Sequence, residues 1–125
     1  MEKITNSCII RKNYKGGIKL EIQYLNEDKI LKLKITEELD HHAVEKLRRR
    51  ADYEIERYIP KKVIFDFNNV SFMDSAGIGL ILGRYRNIST LGGKLEVINV
   101  SETVNKILIM SGVNKIIDIK KEECA

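Results

Sequence analysis

Apolar and polar residues alternate strictly in "IKLEIQY". Ile18, Leu20, Ile22 and Tyr24 fall on one face; Lys19, Glu21 and Gln23 fall on the other. A period of two predicts a half-buried strand. "ILKLKIT" repeats the pattern with Leu31, Leu33 and Ile35 inward, and the mostly polar "LNEDK" between them reads as a turn. Two such strands across a short turn predict an antiparallel hairpin. The period then changes. In "HHAVEKLRRRADYEIERY", Val44, Leu47, Ala51, Ile55 and Tyr58 recur at spacings of three and four, the mark of an amphipathic helix. Asp40 stands where an N-cap belongs, and Pro60 follows where a helix cannot easily continue.

"KVIFDF" is a short, nearly continuous apolar run, which predicts a central strand covered on both faces. Beyond it, Ile78, Ile81, Leu82, Tyr85, Ile88 and Leu91 form a second helical stripe, closed by Gly92-Gly93. That stripe puts Tyr85 in the core and Arg84 on the surface. "KLEVINV" reads as a strand, and Ser101-Glu102 opens a helix carrying Val104, Ile107 and Leu108 that ends at Gly112. "KIIDI" reads as a last short strand. The order ββαβαβαβ predicts one α/β domain. Its sheet is mixed, with an N-terminal antiparallel hairpin and parallel strands joined by right-handed crossovers.

The chain has 125 residues, which suits a single domain. The expected boundaries are a flexible leader or extra strand over 1–17 (around "SCIIRK", ended by Gly16-Gly17), the domain over 18–119 and a tail over 120–125. The net charge is +4, but Lys3, Arg11, Lys12 and Lys15 stand against Glu2 alone in the leader, so most of it is a property of that segment. A nucleic-acid domain shows a basic face interleaved with aromatics. Here aromatics are 6% of residues and only Arg48–Arg50 is densely basic, which argues against nucleic acid. No apolar run approaches the ~18 residues of a membrane span. The first residues lack a signal-peptide core, so the expected location is the cytoplasm. Cys8 and Cys124 are expected as free thiols.

The candidate chemistry lies at "SFMDSAGIGLILGRY", where a strand gives way to a helix. Sites gather at such junctions in open α/β sheets. Ser75 has three readings. It, or Asp74, can serve as a helix cap. It can be a nucleophile, but an elbow requires Gly-x-Ser-x-Gly, and Met73 stands at the first glycine position. A base is also needed, and only His41 and His42 are on offer. Or it can be a phosphorylation switch on an exposed turn. Ala76, Gly77 and Gly79 then leave the first helical turn bare for a partner, and an exposed Ile78 or Leu80 adds apolar contact. Packing inside the domain is the competing account of those glycines. His41 and His42 with Asp40 raise a metal site, but adjacent helical residues point about 100° apart and rarely share an ion.

"ELDHH", "DSAGIGLILGRY" and "LGGKLEV…MSGVNKII" together closely resemble the anti-sigma factor antagonists of the STAS domain family, nearest to their sporulation, sigma-F-type branch. The resemblance runs from about Ile18 to Ile119. It implies a non-enzymatic binding protein without cofactor, metal or catalytic residue. In that family the serine after the aspartate is phosphorylated, here Ser75. Ala76 stands where sporulation members often have a second serine. The unphosphorylated form binds an anti-sigma factor that is also an ATP-dependent serine kinase, which frees the sigma factor. Phosphorylation ends the binding and a phosphatase restores it. Asp40, Asp74, Ala76, Gly77, Ile78 and Gly79 are the expected partner-binding residues, with Arg84 a further candidate. A general-stress antagonist or another STAS binding module is the alternative. Glu37 stands where members usually have glycine, and the leader has no counterpart.

Overall fold

The computed structural model describes residues 2–5, 8–13 and 20–121, with side chains placed from Leu20 onward. Cys124, Ile18 and Gly16-Gly17 lie outside the described residues. The elements are β1 (Glu2–Thr5), β2 (Cys8–Asn13), β3 (Leu20–Leu25), β4 (Ile30–Ile35), α1 (His41–Tyr58), β5 (Lys62–Asp66), α2 (Ser75–Thr90), β6 (Lys94–Val100), α3 (Glu102–Met110) and β7 (Asp118–Lys121). They build one seven-stranded sheet in the order β1-β2-β3-β4-β5-β6-β7. The strands from β1 to β4 pair antiparallel, and those from β4 to β7 pair parallel. The mixed sheet with its antiparallel hairpin β3–β4 is the expected fold class.

Each crossover advances the sheet in the same direction. Right-handed connections therefore put α1, α2 and α3 on one face. On that face Ile22, Leu33, Phe65 and Val97 stand side by side across four strands, all buried. Val44, Leu47, Ala51 and Ile55 of α1 close over them, and Tyr58 stacks on Tyr24 with ring centroids 4.1 Å apart.

The opposite face corrects the sequence reading of β5. It is covered by charged side chains, not by a second layer of helices. Glu96 is buried there between Lys62 Nζ at 2.6 Å and Lys120 Nζ at 2.7 Å. Burial pushes the Glu96 carboxyl up, but the two ammonium groups outweigh it and hold it below its ordinary value. The last strand also differs: it starts at Asp118, because Val113–Lys115 forms a 3-10 turn and Ile117 is the buried anchor.

The α2 stripe also needs correction. Leu80 and Arg84 are buried, while Leu82 and Leu91 are exposed and Tyr85 is only half-buried. Arg84, expected on the surface, lies between α1 and α2 with Nε 2.7 Å from Asp52 Oδ1, and Asn87 donates to the same oxygen at 3.0 Å. Burial pushes the Arg84 guanidinium down from its ordinary value against the pull of Asp52. A charge inside a helix pair needs such a partner.

Candidate functional site

Strands β4, β5 and β6 run parallel, so their C-terminal ends share one end of the sheet. The three following helices all start there. Each is capped by its own side chain. Asp40 Oδ1 accepts from Ala43 N at 2.8 Å, Asp74 Oδ1 from Ala76 N at 2.9 Å and Gly77 N at 3.4 Å, and Ser101 Oγ from Val104 N at 3.2 Å. Asp40 keeps the extended backbone of an ordinary N-cap, so Glu37 does not distort it.

The segment before α2 is pinned at several points. Asp66, buried at the end of β5, accepts from Asn68 N and from Asn99 Nδ2, each at 3.0 Å. Asn99 lies in a left-handed turn of β6, where the register with β7 shifts. Phe67, Val70 and Met73 drop into the core, and Asn68, Asn69, Ser71, Phe72 and Asp74 are left outward. Ser71 is clasped by Glu38: its N–H donates to Oε1 at 2.6 Å, and its hydroxyl donates to Oε2. The clasp joins the turn that carries Asp40 to the loop that carries Ser75.

Ser75 is the first residue of α2 and is exposed. Among the described residues no group hydrogen-bonds its hydroxyl. Asp74, not Ser75, does the capping, and with that the helix-cap reading of the serine fails. Ala76 and Ile78 are half-buried and Gly79 is exposed. A side chain built at Gly79 would meet nothing within 4 Å. Gly77 is different: it is buried, and a Cβ there would lie 3.1 Å from Met73 Cγ, so its smallness serves packing within the domain. His41 and His42 are exposed on the first turn of α1. Among the described residues no three metal-ligating side chains gather to hold an ion, and no helix is long and apolar enough to cross a membrane.

Sequence reasoning missed two features here. The Glu38–Ser71 clasp joins residues far apart in the chain and leaves no local signal. Phe72 is 60% exposed, which no periodicity in a loop can announce.

The STAS domain family model matches residues 21–123. The chain belongs to the STAS domain family. This STAS domain is 36% identical over 104 residues to the anti-sigma F factor antagonist of Paenibacillus polymyxa, covering 83% of this chain and 89% of that one. Its fold matches the anti-sigma factor antagonist SpoIIAA in its unphosphorylated form, with a TM-score of 0.71 and 32% identity over 82% of this chain and 89% of that one. The Bacillus cell fate determinant SpoIIAA in the phosphorylated form matches at a TM-score of 0.64 and 31% identity, over 82% and 92% of the two chains. The part of this STAS domain outside the family model includes both strands of the first hairpin, β1 and β2.

Proposed function

We propose that this protein is an anti-anti-sigma factor of the sporulation, sigma-F type. Unphosphorylated, it binds an anti-sigma factor and so releases the sigma factor. Phosphorylated on Ser75, it no longer binds. The observation that carries this reading is the lone exposed hydroxyl of Ser75 at the start of α2, in a domain similar to antagonists known in both phosphorylation states. The anti-sigma factor is itself the ATP-dependent serine kinase, and a separate phosphatase resets the switch. The protein acts by binding, in the cytoplasm, and catalyses no reaction of its own.

The local geometry gives the sign of the switch. Phosphate adds about −1.5 to −2 charges. A helix start favours an anion by about 0.3–1 kcal/mol. Here Asp74 already takes the N–H groups of Ala76 and Gly77, and it adds a like charge beside the phosphate. The phosphate has little to draw it inward and stays on the surface. Its cost falls on the interface: a desolvated, unpaired charge costs on the order of 3–5 kcal/mol. At 1.4 kcal/mol per decade that is a loss of roughly 100- to 4,000-fold in affinity. Asp40 faces the partner from the neighbouring turn and pairs with a cation there. Asp74, Ala76, Ile78 and Gly79 surround the serine, with Gly77 shaping the turn beneath them.

The test is to incubate the protein with its cognate kinase and ATP and map the modified residue. Ser75→Ala is expected to bind the kinase like wild type and to take no phosphate; Ser75→Glu is expected to lose binding. Amide shifts on phosphorylation should stay within residues 70–82. A glutamate variant that binds as tightly as wild type, or shifts spread through the domain, would overturn the reading.

A further inference from the structure

Glu38 commits both oxygens of its carboxylate to one residue, Ser71. Both residues are exposed, where water would satisfy the same groups, so the bonds are not needed to settle a buried charge. What they fix is position. Glu38 lies between β4 and α1, in a turn where Leu39 is buried and Glu38 and Asp40 face outward. Asp40 N donates to Glu38 O at 3.2 Å, so the same residue also shapes the turn that presents Asp40. Ser71 comes 33 positions later, in the run between β5 and α2 that has neither helix nor strand.

That run, residues 67–74, is held on its β6 side. Phe67 N donates to Ile98 O at 3.0 Å, and Asp66, just before it, accepts from Asn99 Nδ2 at 3.0 Å. Val70 and Met73 hold it from below, in the core. On the β4 side, among the described residues, its polar tie is the Glu38 clasp alone. Ser71 stands three residues before the Asp74 cap and four before Ser75, so a loop loosened at Ser71 loosens the approach to both. A loop already ordered costs a partner little to bind, and a disordered one must be ordered first.

We propose that Glu38 is a positioning residue for the modification of Ser75: through Ser71 it holds the serine-bearing loop and the Asp40 turn in the arrangement that the kinase binds. This rests on the reading of Ser75 given above. Glu38 acts without touching the kinase or the hydroxyl that is modified. With the clasp open, the loop samples several arrangements, and the apparent affinity falls in proportion to the fraction still in place. Once the kinase is bound the loop is in place either way, so the rate of transfer in the complex does not change.

The experiment combines calorimetric titration with the cognate kinase and ADP, steady-state phosphorylation, amide hydrogen exchange of the free protein and urea unfolding. Glu38→Ala is expected to raise Kd and KM by about three- to tenfold with kcat unchanged. It should speed exchange of the Ser71 amide at least about tenfold while global unfolding stays as in wild type. Ser71→Ala keeps the N–H bond and loses the hydroxyl bond. A smaller rise in Kd and KM is expected from it, and no further rise when it is added to Glu38→Ala. Glu38→Gln keeps an oxygen for the N–H and offers an amide donor to the hydroxyl, and Ser71→Thr keeps both donors, so each should behave close to wild type. If Ser71→Ala is silent, or Glu38→Gln is as poor as Glu38→Ala, then Glu38 meets the kinase directly as a charge and the proposal is overturned. A lower kcat at unchanged KM, or lost stability with affinity unchanged, would overturn it as well. If wild type is bound and modified at Ser75 while E38A and S71A match it, this proposal falls and the Ser75 reading stands. If wild type is neither bound nor modified at Ser75, both fall.

Discussion

Gly79→Ala should make the protein more stable and a worse binder. Gly79 is the fifth residue of α2, past the capped turn and exposed. In a helix interior glycine is less favourable than alanine by about 0.8–1.0 kcal/mol. The new methyl group meets nothing of this chain within 4 Å, so no clash offsets the gain. For a domain of this size about 1 kcal/mol raises the melting temperature by roughly 3–5 °C. In the complex the same methyl enters a contact built around a missing side chain. Overpacking of that kind costs about 1–3 kcal/mol, which is roughly a 5- to 150-fold loss of affinity. Gly77→Ala is the internal comparison. Its Cβ would sit 3.1 Å from Met73 Cγ and 3.3 Å from Met73 Sδ, and Met73 is itself buried, so the helix-propensity gain is cancelled or reversed. Urea unfolding gives the stabilities, and calorimetric titration with the kinase gives the affinities. A Gly79→Ala protein that is stabilised yet binds like wild type would refute the claim that a partner approaches this turn closely.

Two further outcomes test the framework behind the site. Asp52→Ala leaves Arg84 buried without its counter-charge; because Asp52 is 30% exposed, the expected loss sits near or below the low end of the range for broken buried pairs, about 2–3 kcal/mol in urea unfolding, and adding Arg84→Met should recover part of it. Glu96 titrates below its ordinary value of 4.5 in the folded state, so its contribution is full above about pH 4.5 and is lost as the pH falls through the lower folded value. Glu96→Gln should therefore flatten the acid limb of the stability–pH curve, and an unchanged slope would show that the two lysines do not hold the carboxylate.

The elements with clean periodicity were legible from the chain alone. Leu20, Ile22 and Tyr24, and likewise Leu31, Leu33 and Ile35, point inward as their alternation demands. The exposed position of Ser75 at the start of α2 was legible because a junction between strand and helix is a local pattern. What failed needed partners distant in sequence. Arg84 reads as a surface residue until Asp52, on another helix, is seen beside it. Leu82 reads as core because hydropathy does not say which side of an apolar helix faces the sheet. In "KVIFDF" the apolar run concealed Asp66, whose burial depends on Asn68 and Asn99. Glu54, fully buried on α1, was missed for a different reason: its ion-pair partner Arg50, at 3.2 Å, stands only four residues before it, but a charge pair at that spacing reads as solvent-exposed and does not announce burial.

The monotonic strand order has a consequence for how the domain can change. Every strand hydrogen-bonds only to its immediate predecessor and successor in the chain. The sheet is thus a ribbon wound in one pass, with no strand threaded between two older ones. New strands can be stitched onto its leading margin without unpicking any existing pair, as β1 and β2 are stitched onto β3. Lengthening or trimming that margin leaves the serine-bearing end of the ribbon untouched, so selection can tailor the two independently.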